Sequence, residues 1–269
     1  MNNIEIKDAF QNGKAMIAFV TGGDPDIETT EKLLPAMQEA GADLIEIGIP
    51  FSDPIAEGPV IQEANERALS KGCTTDHLFD MVKRVRESGK VTVPIVYLTY
   101  ANPIYTYGKE KFMAKCEECG INGCIVPDVP FEEKNEFLAE AKAHNVDIIS
   151  MIAPTSEERI VKIAKEATGF LYVVSSLGVT GVRSNITTDI DSMIKLVRKA
   201  SDIPAAVGFG ISTPEQAANM AEKSDGAIIG SAIVKIVGQY GRDCIPYVQE
   251  YIRNINEAVK AVEAVEKVS

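Results

Sequence analysis

Glu46-Ile47-Gly48-Ile49-Pro50-Phe51-Ser52-Asp53-Pro54-Ile55-Ala56-Glu57-Gly58-Pro59 is the stretch on which the reading of this chain turns. It continues an apolar strand pattern, Asp43-Leu44-Ile45-Glu46-Ile47-Gly48, and runs into a proline- and glycine-rich loop with two further carboxylates, Asp53 and Glu57. A charge inside a strand is costly to bury unless it has a partner or a task. Two carboxylates in unlike settings, one on a strand and one on the loop after it, suit acid–base chemistry, because their surroundings can drive their pKa values apart. Side chains alternate along a strand, so Glu46 points opposite to Ile45 and Ile47. In a barrel, that direction is the interior.

The same unit recurs along the chain: a short apolar run, a turn rich in Gly, Pro, Asp or Ser, then a longer amphipathic segment. The runs are Met16–Val20, Leu44–Ile47, Pro94–Leu98, Gly123–Val126, Asp147–Ile152, Phe170–Val174, Ala205–Val207 and Ala227–Ile229. Short, continuously apolar runs fit strands buried on both faces, as in parallel sheets. Between them, Ile27–Ala40, Thr75–Ser88, Lys109–Cys119, Phe131–His144, Ser156–Ala167, Asp189–Ala200 and Pro214–Lys223 read as helices. Asp26, Thr75, Ser156 and the Thr213-Pro214 pair are the expected helix starts. Eight alternating units predict an α/β fold, a single (β/α)8 TIM barrel over residues 1–269, with an extra N-terminal helix before Met16 and a final amphipathic helix over Ile245–Val268. An open doubly wound sheet is the alternative, but the glycine-patterned turn expected after its first strand is missing. No composition shift or long linker divides the chain.

The 269 residues are 45% hydrophobic and 25% charged, which supports a substantial core, and carry a net charge of −12. That sign disfavours nucleic acid and anionic membranes as general partners, although local backbone amides can still bind a phosphate. The N-terminal segment has no apolar signal-peptide core and no apolar run is long enough to span a membrane, so a cytoplasmic location is expected. The five cysteines are an odd number and read as reduced thiols. Cys116-x-x-Cys119 with Cys124 nearby raises a zinc or redox reading, but there is no second cysteine pair and the only histidines are His77 and His144. Packing thiols are the simpler account, and no metal is expected.

In a barrel the functional residues lie at the C-terminal ends of the strands, with phosphate held after the seventh and eighth. Here those ends read Gly208-Phe209-Gly210-Ile211-Ser212-Thr213-Pro214 and Gly230-Ser231-Ala232-Ile233-Val234. Glycines allow close approach of backbone amides, and a helix N-terminus presents unpaired N–H groups with partial positive charge. The long polar loop Ser175–Asn185 after the sixth run is expected to act as a lid, and its Gly181 can add an amide to the phosphate site. Neither a serine–histidine nor a cysteine–histidine nucleophile is evident, and no glycine-rich loop carries a nucleotide-binding lysine.

Seven ordered segments carry a family resemblance: Phe19-Val20-Thr21-Gly22-Gly23-Asp24-Pro25, the Glu46–Pro59 stretch, Tyr100-Ala101-Asn102-Pro103, Pro127-Asp128-Val129-Pro130, Tyr172 with Ser175 and Gly178-Val179-Thr180-Gly181, and the two glycine loops above. Over essentially its full length the chain resembles the alpha subunits of tryptophan synthase. The resemblance implies retro-aldol cleavage of indole-3-glycerol phosphate to indole and glyceraldehyde 3-phosphate. Glu46 would be the general acid–base, and Glu57 would pair with the indole N–H. Phe19, Leu98, Tyr100, Ile152 and Ile228 would line the indole pocket, Tyr172 would contact the substrate near the reacting carbon, and Thr180 would close over Glu46. Gly181, Phe209, Gly210, Gly230 and Ser231 would hold the phosphate. It also implies no cofactor in this chain, and a pyridoxal-phosphate-dependent beta subunit as partner in an alpha2beta2 heterotetramer, met by the loops Pro50–Gly58 and Asn102–Tyr105. Two positions depart from the family pattern: Glu57 stands where Asp is common, and Ser176 where many relatives carry Arg.

Other readings stay open on sequence alone. Glu46 could serve in a buried ion pair with lysine or arginine, Glu57 could be a solvated loop carboxylate, and Tyr172 could be a core aromatic. The chain could equally be a stand-alone lyase that releases indole without a partner, or a weakly active subunit that regulates the beta chain. A phosphosugar aldolase on the same barrel would need a Schiff-base lysine at a strand end, and none is well placed.

Overall fold

The computed structural model describes residues 4–175, 189–208 and 210–262. The strands are β1 (Ala15–Thr21), β2 (Leu44–Gly48), β3 (Ile95–Leu98), β4 (Gly123–Ile125), β5 (Asp147–Ile148), β6 (Ser150–Ile152), β7 (Leu171–Val174), β8 (Ala205–Gly208) and β9 (Gly226–Ile229). They pair in parallel in the order β5-β4-β3-β2-β1-β9-β8-β7-β6. The two ends of this list, β5 and β6, are halves of one stretch broken at Ile149. The first half pairs with β4 and the second with β7, so the sheet closes on itself through a single run of chain. The eight runs therefore become the expected barrel, with the fifth run divided. At the break the Ile149 N–H still donates to the Cys124 carbonyl (2.9 Å), which keeps the seam tied on the β4 side.

The strands are buried on both faces, as their continuous apolarity predicts: every residue of β1, β2 and β7 is buried. Alternation sorts their side chains into two layers. Ala18, Val20, Ile45, Ile47, Ile95 and Tyr97 face outward and join the helix side chains. Ile17, Leu44, Val96, Ile125, Tyr172 and Ile228 fill the barrel interior. Glu46 sits in register with Phe19 on one side and Val96 on the other, on the inward face.

The barrel's outer layer comprises α1 (Ile27–Glu39), α3 (Thr75–Glu87), α5 (Lys109–Cys119), α6 (Asn135–Ala143), α7 (Glu157–Glu166), α8 (Ile190–Ala200), α9 (Pro214–Lys223) and α10 (Ser231–Tyr240). The helix starts behave as their residues predict. Asp26, Ser156 and Thr213 each accept the amide three residues on, and Thr213 forms a reciprocal capping box with Gln216. At α3 the cap is Thr74, one residue before the Thr75 expected, because the Thr74 side chain receives the His77 amide. Two further helices stand outside the eight units read from the sequence: α2 (Pro59–Ser70), after β2, and α4 (Ala101–Tyr107), after β3. The expected N-terminal helix is a 3-10 turn, Ile6–Phe10, whose Ile6 and Ala9 plug the interior cluster from below. The last helix, α11 (Ile245–Lys260), ends earlier than Val268; residues 263–269 lie outside the described part. Among the described residues no helix is long and apolar enough to cross a membrane.

Candidate active site

Glu46, Glu57, Phe19, Leu98, Tyr100, Tyr172, Ile228, Gly210, Gly230 and Ser231 line one pocket at the C-terminal mouth of the barrel. Ten of the residues picked from the sequence thus converge on a single cavity. Thr180, Gly181 and Phe209, with the expected lid and Ser176, lie outside the described residues. Ile152 is a correction. Its side chain belongs to the outer layer between sheet and helices, and Met151 lines the pocket instead. The reason is the two-residue period of a strand: a shift of one position exchanges the two faces. Alternation from Ile149, which faces the interior with Met151, would have found the right residue.

Glu46 is 1% exposed, and its Oε1 has no hydrogen-bond partner among the described residues. Burial alone pushes its pKa up to about 8. Among the described residues no lysine or arginine pairs with it, which removes the ion-pair reading and leaves a carboxyl that is protonated near neutral pH. Tyr172 stands on β7 close enough that the Glu46 charge, added to burial, drives its phenol well above the usual range. Two glycines make room for the pocket's rings. A Cβ on Gly208 would fall 2.4 Å from the Tyr172 Oη, and one on Gly48 would fall 2.7 Å from the Phe19 Cζ. Such approaches are open only to glycine.

Glu57 is buried as well, so it is no solvated loop carboxylate. Asn65 Nδ2 donates to its Oε2 at 2.7 Å, and the Tyr100 hydroxyl donates to the same carboxylate. Burial raises the Glu57 pKa and these two donors oppose that rise. The two carboxyls therefore differ in the way acid–base work needs: among the described residues Glu46 Oε1 has no donor, while Glu57 is supplied with two. The Tyr100 oxygen also accepts the Ala56 N–H (3.2 Å), which ties the loop after β2 to the end of β3. Ala56, Ile61, Pro127, Met151 and Ile211 complete the wall. Ile61 and Asn65 ride on α2, for which the eight-unit pattern has no place.

The two glycine loops expected to bind phosphate differ. The amides of Ser212 and Thr213, at the start of α9, donate to the Gln216 side chain (2.9 and 3.3 Å). The N-terminus of α10, by contrast, has no side-chain cap and no acidic residue in its first turn, and its Gly230 and Ser231 line the pocket. An uncapped helix end beside the left-handed Gly210 (φ 78°) suits an anion. The five cysteines are all buried and unpaired. Among the described residues no three side chains are grouped to hold a metal ion.

Two unlike carboxyls over an apolar pocket at the mouth of a parallel barrel, beside a helix end open to an anion, define an acid–base enzyme of the (β/α)8 class. The sequence matches the family described as tryptophan synthase alpha chain over residues 6–264. It is 43% identical to the tryptophan synthase alpha chain of Lacticaseibacillus casei, over 96% of both chains. It is 48% identical to that of Geobacter sulfurreducens, over 84% of this chain and 86% of the relative. Its fold is similar to a tryptophan synthase alpha chain from Legionella pneumophila (TM-score 0.85, 32% identity, 97% and 98% of the two chains covered). A structure of Mycobacterium tuberculosis tryptophan synthase is equally similar (TM-score 0.86, 31% identity, 96% and 98% covered). The chain belongs to the tryptophan synthase alpha chain family, and is a lyase.

Proposed function

We infer that this chain cleaves indole-3-glycerol phosphate to indole and glyceraldehyde 3-phosphate, with Glu46 as general acid–base and Glu57 as the partner of the indole N–H. The observation that carries this reading is the pair of buried carboxyls with opposite surroundings in one apolar pocket. Glu46, protonated near neutral pH, gives its proton to the ring carbon that bears the side chain. Positive charge then develops on the ring nitrogen, and the Glu57 carboxylate accepts the N–H hydrogen bond and balances that charge. Glu46, now ionised, takes the proton of the adjacent glycerol hydroxyl. The carbon–carbon bond breaks, its electrons restore the indole ring, and the hydroxyl carbon becomes the aldehyde of glyceraldehyde 3-phosphate.

The apolar side chains of Phe19, Leu98, Met151 and Ile228 suit the indole ring, Tyr172 the reacting carbon, and the α10 N-terminus with Gly210, Gly230 and Ser231 the phosphate. Thr180, Gly181 and Phe209 keep the roles the resemblance implies. The steps need proton transfer and charge balance, which carboxyls supply, so no cofactor is assigned to this chain. We take the whole of residues 1–269 as one working domain. A pyridoxal-phosphate-dependent beta subunit is the proposed partner, in an alpha2beta2 assembly. Ile55 (72% exposed) and Tyr105 (48%) present apolar surface on the loops beside the pocket mouth, where such a partner would take up indole.

The test is indole release from indole-3-glycerol phosphate by the purified chain, alone and with a beta subunit. Slow release that rises strongly with the partner is expected. Fast release alone would make the chain a stand-alone lyase. No release in either condition would return both glutamates to structural roles.

A further inference from the structure

Helix α2 is an addition to the strand–helix repeat, and its inner side is built around Glu57. The Gln62 side chain donates to the Glu57 carbonyl at 2.7 Å. One turn on, Asn65 is 3% exposed and donates to the Glu57 side chain at Oε2, also at 2.7 Å. The helix itself is locked in place: the Arg67 guanidinium forks onto the buried Asp24 carboxylate at 2.8 and 2.9 Å, tying α2 to the loop after β1. Across the pocket, Tyr100 holds the loop through the Ala56 amide.

We propose that Asn65 is a positioning residue matched to the length of Glu57: it occupies Oε2, draws the longer arm back against α2 and, with the Tyr100 hydroxyl as the second donor, sets the carboxylate for the substrate N–H. The proposal rests on the role given to Glu57 above. An aspartate at this position, a methylene shorter by about 1.5 Å, would not reach Asn65 unless the loop advanced. The amide is also chemically apt. It stabilises the ionised carboxylate as a neutral donor, so the full negative charge stays available to the ring nitrogen, whereas a lysine or arginine there would neutralise it. The eight-residue spacing from Glu57 to Asn65 crosses the loop-to-helix boundary at Gly58-Pro59, where the helix begins with proline at its first position.

The experiment compares the wild-type chain with Asn65→Leu, Glu57→Asp and the double variant, each with the beta subunit, reading kcat and KM for indole release from pH 5 to 9. Leucine has nearly the shape of asparagine and no donor. In the Glu57 background, Asn65→Leu is expected to lower kcat about tenfold to a hundredfold, the worth of a hydrogen bond to a charged group, with KM nearly unchanged. It is also expected to move the acid limb of the pH profile upward by about one pH unit, because the lost donor favoured the ionised form. With Asp at position 57, the same leucine substitution is expected to cost less than about threefold, since the contact is already broken. An acid limb that stays in place, or an equal loss in both backgrounds, overturns the proposal and leaves Asn65 a packing residue. Should Asn65→Leu not fold, Asn65→Asp keeps the shape and sets a second carboxylate against Glu57. Activity near wild type at pH 7 in that variant overturns the proposal too. Failure here is distinguishable from failure of the functional reading. If wild type releases indole, Glu57→Gln does not, and Asn65→Leu behaves as wild type, only the positioning role falls.

Discussion

Replacing Glu46 by glutamine should make the protein more stable and far less active, and the stability gain should grow with pH. The carboxyl ionises at about 8 in the fold and near 4.5 in an unfolded chain, solely because burial penalises its charge. Below about pH 4.5 both states hold the proton, and wild type and variant should unfold alike apart from the small difference between acid and amide. Between 4.5 and 8 the unfolded chain releases its proton while the folded chain keeps it, so wild-type stability declines as pH rises. The interval corresponds to roughly 3 kcal/mol at pH 7 and on the order of 5 kcal/mol above pH 8, at about 1.4 kcal/mol for each pH unit. Glutamine does not titrate and escapes that loss. Urea unfolding of both proteins at pH 5, 7 and 8.5 measures the gap, and indole release on the same samples measures the activity, which should fall by about two to four orders of magnitude. The wild-type kcat/KM should in turn decline as pH rises through about 8, where the acid form is lost. A stability gap that stays constant from pH 5 to 8.5 would refute the reasoning, since it would mean that Glu46 is ionised in the fold and has a compensating cation.

The two faces of β6 offer a second test. Met151→Ala should enlarge the substrate pocket and raise KM several-fold at small cost to stability, while Ile152→Ala should destabilise the fold by about 2–4 kcal/mol and leave KM nearly unchanged. Steady-state kinetics with urea denaturation of both variants separates the two, and the reverse pattern would restore Ile152 to the pocket. Gly48→Ala places a Cβ 2.7 Å from the Phe19 ring, so the ring must tilt into the pocket. Such overpacking costs about 1–3 kcal/mol, and the expected result is a lower affinity for an unreactive indole-propanol phosphate analogue, read by calorimetry. Unchanged affinity would show that Phe19 can move away from the ligand.

How far sequence alone reaches here depends on the range of the interaction concerned. The strand period is local, and it was enough to turn Glu46 inward between Ile45 and Ile47, whereas its place beside Phe19 is set by the register of β1 against β2. Helix caps are local too: Asp26, Ser156 and Thr213 each bind an amide three residues away, and each was legible. The resemblance puts Ile152 in the pocket, whereas the same alternation, counted from Ile149, puts Met151 there and turns Ile152 outward. The break at Ile149 could not be read, because its cause is the choice between two partner strands, β4 and β7, far apart in the chain. Helix α2 has readable signals, Gly58-Pro59 and apolar Ile61, Ala64 and Ala68 on one side. An eight-unit template nevertheless passes over it, since each unit has room for one helix and α3 already fills that place between β2 and β3. Its role is less legible still: Arg67 reaches back 43 residues to Asp24, and Asn65 matters only once Glu57 is known to be folded against it. The inward setting of Glu46 could thus be read from a pattern within one strand, whereas the setting of Glu57 depends on an added helix held by contacts that no local pattern encodes.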